Sequence, residues 1–253
     1  PDAESVALAW RFPGVSDKDF EILQVVSQVL YNGKAGLIDL DLNQQQKVLN
    51  SYGYPMGLAD YSALLLGGLP KQGQTLEEVK DLLLNEIKKL RAGEFDEKML
   101  QANINNFKLY ELQSMESNEG RADIFVNSFI NGTNWEDEVT AIDRMDIVAF
   151  ADKYLKEDNY AVVYKKQGKD PNEKKTTKPE ITPIVSNRDV ASPFLTSIQE
   201  NAVKPIEPVF LDFKKDMSQL TAKSDIPVLY KQNTTNDLFQ LIYVFDMGNN
   251  NDK

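Results

Sequence analysis

The sequence predicts an α+β fold, an antiparallel sheet with helices packed on one face. Three observations predict it. The hydrophobic patterns run strand, helices, strand, strand, several helices, strand, with no regular βαβ alternation. The two central extended segments are separated only by a turn near Ala59-Asp60, which makes them an antiparallel pair. The intervening segments repeat apolar residues at helical spacing and carry cap residues at their ends.

Ser5 to Phe12 alternates as a strand that Pro13-Gly14 ends. Ser16 then opens a helix in which Phe20, Leu23, Val26 and Leu30 recur at helical spacing, with Ile22, Val25 and Val29 widening the buried stripe. Gly33 and Gly36 follow, then a short helix to about Gln46. Val48–Leu58 and Tyr61–Leu69 are the extended pair. Thr75-Leu76-Glu77-Glu78 is a capping box, in which a hydroxyl and a carboxylate meet the unpaired amides of a helix start. Leu76, Val79, Leu83, Ile87 and Leu90 form one face of that helix, and Gly93 stops it. A long helical region covers Asp96 to Asn131, with Leu100, Ile104, Phe107, Ile124, Phe125 and Phe129 as expected core and Gly120 as an expected kink. Two shorter helices follow; Ile147, Val148, Ala151, Tyr154 and Leu155 make the second amphipathic, and Tyr160–Tyr164 closes the domain as a strand.

The charged stretch from Lys165 to Lys178, with Lys174-Lys175, Gly168 and Pro171, reads as a solvated linker. Thr182–Pro208 is loop-like, and Val209–Phe213 is an expected short strand. Ile226–Tyr230 and Leu238–Phe245 flank Gln232–Asp237 as an expected hairpin, which reads as truncated because a lone hairpin is marginal in water. The expected domains are thus residues 1–166, a linker over 167–208, and the beginning of another domain over 209–253. The start at Pro1 reads as a cut.

Composition excludes several functions. The sequence has no His and no Cys, so Cys/His and Ser/His/Asp catalysis and thiolate–imidazole zinc sites cannot be built within it. A net charge of −11 disfavours nucleic acid and anionic lipid. There is no membrane-spanning run of about 18 apolar residues.

Several segments resemble functional motifs. Gly68-Leu69-Pro70-Lys71-Gln72-Gly73-Gln74-Thr75 resembles a phosphate-binding loop, but Gln74 replaces its lysine, Pro70 removes a donor and Glu77-Glu78 repel an anion, leaving a turn and an N-cap. Asp39-Leu40-Asp41-Leu42-Asn43 begins like a calcium loop but continues with Gln44 for Gly and Asn50 for the final Glu, so it reads as helix. Asp246, Asn250 and Asp252 read as a frayed end. Glu116/Glu119 and Glu136-Asp137-Glu138 show no environment that would split their pKa values, and the second cluster reads as a helix start. Trp10 and Trp135 read as core or interface packing. Asn131-Gly132-Thr133 and Asn233-Thr234-Thr235 fit the glycosylation pattern, which matters in a secretory setting. No catalytic, cofactor-binding or metal residue is assigned.

The stretch Glu4-Ser5-Val6 through Trp10-Arg11-Phe12-Pro13-Gly14, then Leu30-Tyr31-Asn32-Gly33-Lys34-Ala35-Gly36-Leu37, resembles the opening of the second domain of pitrilysin/insulinase-type (inverzincin) metallopeptidases. Arg91-Ala92-Gly93-Glu94-Phe95 and Ala149-Phe150-Ala151-Asp152-Lys153-Tyr154-Leu155 resemble its later part, so that the likeness covers residues 4–166. Pro227–Asn233 and Leu238–Leu241 through Gly248 resemble the first hairpin of the family's next domain. The resemblance implies a non-catalytic, chamber-wall and peptide-enclosing part of a zinc endopeptidase, a hydrolase whose zinc sits in its first domain on H-x-x-E-H and a distal Glu. Its implied partners are the other domains of that longer chain and a peptide substrate, and its implied location is the bacterial periplasm or cell envelope. Alone it should be inert and zinc-free. The alternative is a non-enzymatic protein-binding or assembly scaffold of the same family.

Overall fold

The computed structural model describes residues 3–133, 142–168, 177–183, 186 and 189–245. The chain forms two compact units, residues 1–173 and 174–253. In the first, β1 (Ser5–Pro13), α1 (Lys18–Leu30), a short π-helical segment (Asp39–Asn43), β2 (Asn50–Met56), β3 (Tyr61–Leu69), four helices and β4 (Ala161–Lys165) follow in order. The helices are α2 (Leu76–Arg91), α3 (Glu97–Ser114), α4 (Asn118–Asn131) and α5 (Arg144–Tyr154). All pairings are antiparallel and the strand order is β2-β3-β1-β4. The expected α+β arrangement is therefore present.

Alternation along the strands sends Val6, Leu8, Trp10 and Phe12 of β1 and Leu64 and Leu66 of β3 into one core. Against them pack Leu23, Val26 and Leu30 of α1, Val79, Leu83 and Leu90 of α2, and Ile147, Phe150 and Ala151 of α5. The Phe12 and Phe150 rings stack at 5.3 Å, and Trp10 lies 5.3 Å from Tyr160, which makes Trp10 a core residue. The capping box forms as read: Thr75 Oγ1 accepts from the Glu78 amide at 3.2 Å while the Glu78 carboxylate accepts from the Thr75 amide at 2.7 Å. At the other end of α2, Gly93 takes φ +70°, which lets its amide donate to the Leu90 carbonyl and stops the helix.

The long region after Asp96 differs from expectation. Instead of one helix kinked at Gly120, it is two helices, with Ser117 capping α4 by accepting from the Gly120 amide at 2.9 Å. A Cβ on Gly120 would fall 2.1 Å from the Ser114 carbonyl oxygen, so the glycine permits the close turn between the helices. Leu100 and Ile104 are buried and Phe107 packs beside them, as expected. Ile124 is half-buried, but Phe125 and Phe129 are exposed, and α4 buries no residue. The helical period there is real, but Val126, Phe129 and Ile130 on its apolar face stay exposed among the described residues.

The second unit contains α6 (Pro193–Gln199), β5 (Ser218–Thr221), a 3₁₀ turn (Lys223–Asp225) and β6 (Pro227–Tyr230). β6 is the strand expected from its apolar run, but its partner is β5, paired Ser218 to Tyr230 through Thr221 to Pro227, not Leu238–Phe245. The Asn233 turn forms, with Oδ1 accepting from the Thr235 amide at 3.0 Å, yet residues 238–245 make no ladder. The shorter connection through 222–226 closes at smaller entropic cost. Val209–Phe213 is not a strand and is exposed, having no neighbouring strand to pair with among the described residues. Helix α6 was not read from the sequence, although Ser192-Pro193 is a cap-plus-first-turn signal that the surrounding prolines obscured.

Candidate functional site

The second face of the sheet points away from the helices and is built by the same alternation. Cross-strand register aligns Tyr54, Leu65, Ala9 and Ala161 in one row and Tyr52, Gly67, Ala7 and Val163 in the next. A third row joins Met56, Ala63 and Arg11. Small side chains thus line the middle strands, while β2 raises an aromatic wall along one side. The Tyr52 and Tyr54 rings are nearly parallel, with centroids 6.2 Å apart. A Cβ on Gly67 would come within 2.3 Å of Tyr52, so the bare glycine lets that ring lie over β3. Tyr54 is 45% exposed, Met56 42% and Val163 64%, apolar surface along the two edge strands of this face. Arg11 holds its guanidinium 4.9 Å from the centre of the Tyr61 ring.

The edge beside the aromatic wall is closed by a side chain. Asn43 accepts from the Ser51 amide and donates to the Ser51 carbonyl, both at 2.8 Å, as a neighbouring strand would. Pro55 removes a further amide from that edge. The same turn is held by Asp39, whose buried carboxylate accepts from the amides of Asn32 at 2.9 Å and of Gly33 and Gly36 at 3.0 Å. Asp41 instead accepts from Lys89 Nζ at 2.5 Å, and Lys89 also reaches buried Glu86 at 3.0 Å. Burial pushes the Glu86 carboxyl up against the pull of Lys89. For Asp41 burial acts the same way, but the Lys89 hydrogen bond and charge outweigh it and hold the carboxyl low. The oxygens of the calcium-loop-like segment are therefore each engaged elsewhere, in three directions.

The phosphate-loop-like segment is similarly occupied. Lys71 Nζ donates to the Gln46 carbonyl at 2.8 Å, Gln74 Nε2 donates to the Lys47 carbonyl at 3.0 Å, and Gln74 Oε1 accepts from the Lys71 amide at 3.0 Å. These bonds lace the loop to the turn before β2 and leave it a structural connection. Glu116 and Glu119 are exposed around the start of α4, where Glu119 favours the helix dipole. Trp135, Glu136-Asp137-Glu138, Asp246, Asn250 and Asp252 lie outside the described residues. A cavity of about 190 Å³ on the helix side is lined by Trp10, Ile87, Lys88, Arg91 and Tyr160. Two of its cations are matched, Arg91 by Asp152 at 2.9 Å and Lys88 by Glu157 at 3.4 Å.

Among the described residues no group of three or more Asp or Glu comes together where a metal ion could be held. With no imidazole or thiolate in the sequence, these donors do not fit a zinc site of the H-x-x-E-H kind. No described helix is long and apolar enough to cross a membrane. What the fold defines is an α+β domain with one sheet face open and, among the described residues, no zinc-binding donor set.

Comparison with known proteins agrees. Residues 1–107 match the Peptidase M16 inactive domain family. A curated relative, the zinc protease PqqE of Helicobacter pylori, is 25% identical over 172 residues, covering 64% of this chain. The chain spans only 38% of that relative's length. Among solved structures, a protease from Helicobacter pylori superposes with TM-score 0.60 at 22% identity, over 65% of this chain and 41% of that one. The inactive peptidase domain of a candidate zinc protease from Bordetella parapertussis superposes with TM-score 0.59 at 17% identity, over 66% of this chain and 94% of that one. The resemblance to pitrilysin/insulinase-type metallopeptidases is borne out, and it lies with the family's inactive domain.

Proposed function

We propose that this chain supplies the non-catalytic wall of a substrate chamber in a zinc-dependent endopeptidase, enclosing peptides that another domain cleaves. The observation that carries the reading is the open, apolar sheet face on a domain matched to the inactive M16 family. A domain stabilised only by its own core gains nothing from exposing tyrosines and methionine on a sheet. Zinc belongs to a companion domain with the imidazole ligands this sequence lacks. That companion is also the partner for α4, whose Val126, Phe129 and Ile130 stripe is 55%, 88% and 64% exposed. A 14-residue helix with no fully buried residue gains stability from such a partner. Residues 209–253 then belong to a further homologous domain. The envelope of a bacterium is the location that fits a peptide-degrading role of this family.

A photo-crosslinking residue at position 54 of the complete gene product tests the reading. It should capture a bound peptide substrate, while the same group at Asp81, exposed on α2, should not. Equal capture at both positions, or none at 54, would refute the chamber-wall assignment.

A further inference from the structure

None of the strand positions on the open sheet face is acidic, although the chain has 39 Asp and Glu against 28 Lys and Arg. On β1, β2, β3 and β4 the face-out positions are small, aromatic, aliphatic or amide residues, and the charged ones are Arg11 and Lys165, both cations. An acidic protein that clears carboxylates from one apolar face has left it complementary to an acidic ligand. Arg11 has no carboxylate partner among the described residues; its contact is the Tyr61 ring, which orients the guanidinium without neutralising it.

The shape of the face narrows the ligand further. Ala7 and Ala9 form a floor beside the Tyr52 ring, which covers Gly67, between the Tyr54 wall on β2 and Val163 on β4. Three strand spacings put those two borders about 14 Å apart, which accommodates a helix about 10–12 Å across. The face offers no backbone partners, because the amides and carbonyls of the two central strands are committed to ladders on both sides. An extended segment lying there would leave its own peptide groups without protein partners, whereas a helix arrives with them satisfied.

We infer that this face docks an amphipathic α-helical segment of a polypeptide, apolar side chains against the alanines and the Tyr52 and Tyr54 rings and acidic side chains toward Arg11. The inference rests on the chamber-wall reading for its biological setting and names the substrate feature that wall recognises. Its recognition chemistry stands on this chain alone.

The test uses the whole 253-residue chain and three synthetic peptides of about 18 residues. They share one leucine face and carry glutamates on its flanks, lysines on its flanks, or glutamates with two central prolines. Affinity is read by fluorescence anisotropy and the site by amide shifts in labelled protein. The glutamate peptide should bind at least tenfold more tightly than either other peptide and move the resonances of Ala9, Ala63 and Leu65. Arg11→Glu should weaken the glutamate peptide about tenfold and strengthen the lysine peptide. Ala9→Lys, which fills the floor, should weaken every peptide while leaving the circular dichroism spectrum unchanged. Equal binding of the glutamate and lysine peptides, equal binding of the proline peptide, shifts confined to the helices, or no binding at all would each overturn the inference. Such a failure differs from failure of the chamber-wall reading, which would appear as loss of substrate crosslinking in the complete gene product.

Discussion

Replacing Asp39 by alanine should cost this chain a large share of its stability, although the residue touches no ligand. Its buried carboxylate accepts three backbone amides, from Asn32, Gly33 and Gly36, and so closes the loop between α1 and the π-helical segment. Alanine leaves the Gly36 amide buried without an acceptor and the other two partly so. A buried donor left unmet costs about 1–3 kcal/mol. Water can reach the two outer amides, which brings the expected total to about 3–4 kcal/mol. Against a typical stability of about 5–15 kcal/mol this is severe. With a urea slope near 3 kcal/mol/M, it moves the unfolding midpoint of the first unit down by about 1 M. Far-UV circular dichroism against urea measures it. Asp39→Asn, which keeps an acceptor oxygen but loses the charge, should fall between the two. A loss below about 1 kcal/mol for alanine would refute the reasoning, because it would mean the three amides find other acceptors.

Two other predictions concern pH and surface. At Asp19, burial raises the carboxyl, but hydrogen bonds from Lys153 at 2.7 Å and from the Tyr154 hydroxyl outweigh it and hold the group below its ordinary value. A depressed folded pKa contributes stability above the unfolded value near 4 and loses it as pH falls through the folded one. Asp19→Asn should therefore cost about 1 kcal/mol at neutral pH, with the difference from the parent sequence shrinking to nothing in acid; urea titrations at pH 7 and about pH 2.5 would show a constant difference if the pairing contributes nothing. Phe129→Ser should change the melting of this chain by less than about 0.5 kcal/mol, whereas Leu83→Ala in the fully buried α2 face should cost about 3 kcal/mol. Comparable losses in thermal melts of the two variants would contradict the placement of α4's apolar stripe outside the core.

Much of the first unit was legible because its signals are local and redundant. The β1 alternation, the α2 capping box with its five apolar positions, and Gly93 after the helix each point to the element found. Helix α4 shows where such reading stops. Its period identifies a helix with an apolar face, but periodicity says only that a face is buried somewhere, not that its cover lies in the same unit. The tail failed for a different reason: apolar runs around an Asn turn suit a hairpin, yet ladder partners are chosen by three-dimensional competition, and Ser218–Thr221, with polar outer residues and little β character, gave no warning. The open face was hidden in plain alternation. Ala7, Ala9 and Arg11 read simply as the outward residues of a strand, and only the register of four strands brings them beside Gly67, Tyr52 and Tyr54. The absence of imidazole and thiolate, in contrast, needed no structure to read.

Under the proposed function, this chain shapes a peptidase chamber without performing the chemistry. Zinc-dependent peptide hydrolysis, measured in parallel on the complete gene product and on this chain after dialysis against chelator and readdition of zinc, tests it most directly. Cleavage by the complete product should be abolished by chelator and restored by zinc, and this chain should cleave at no zinc concentration. Zinc-dependent cleavage by this chain, or none by the complete product, would contradict it.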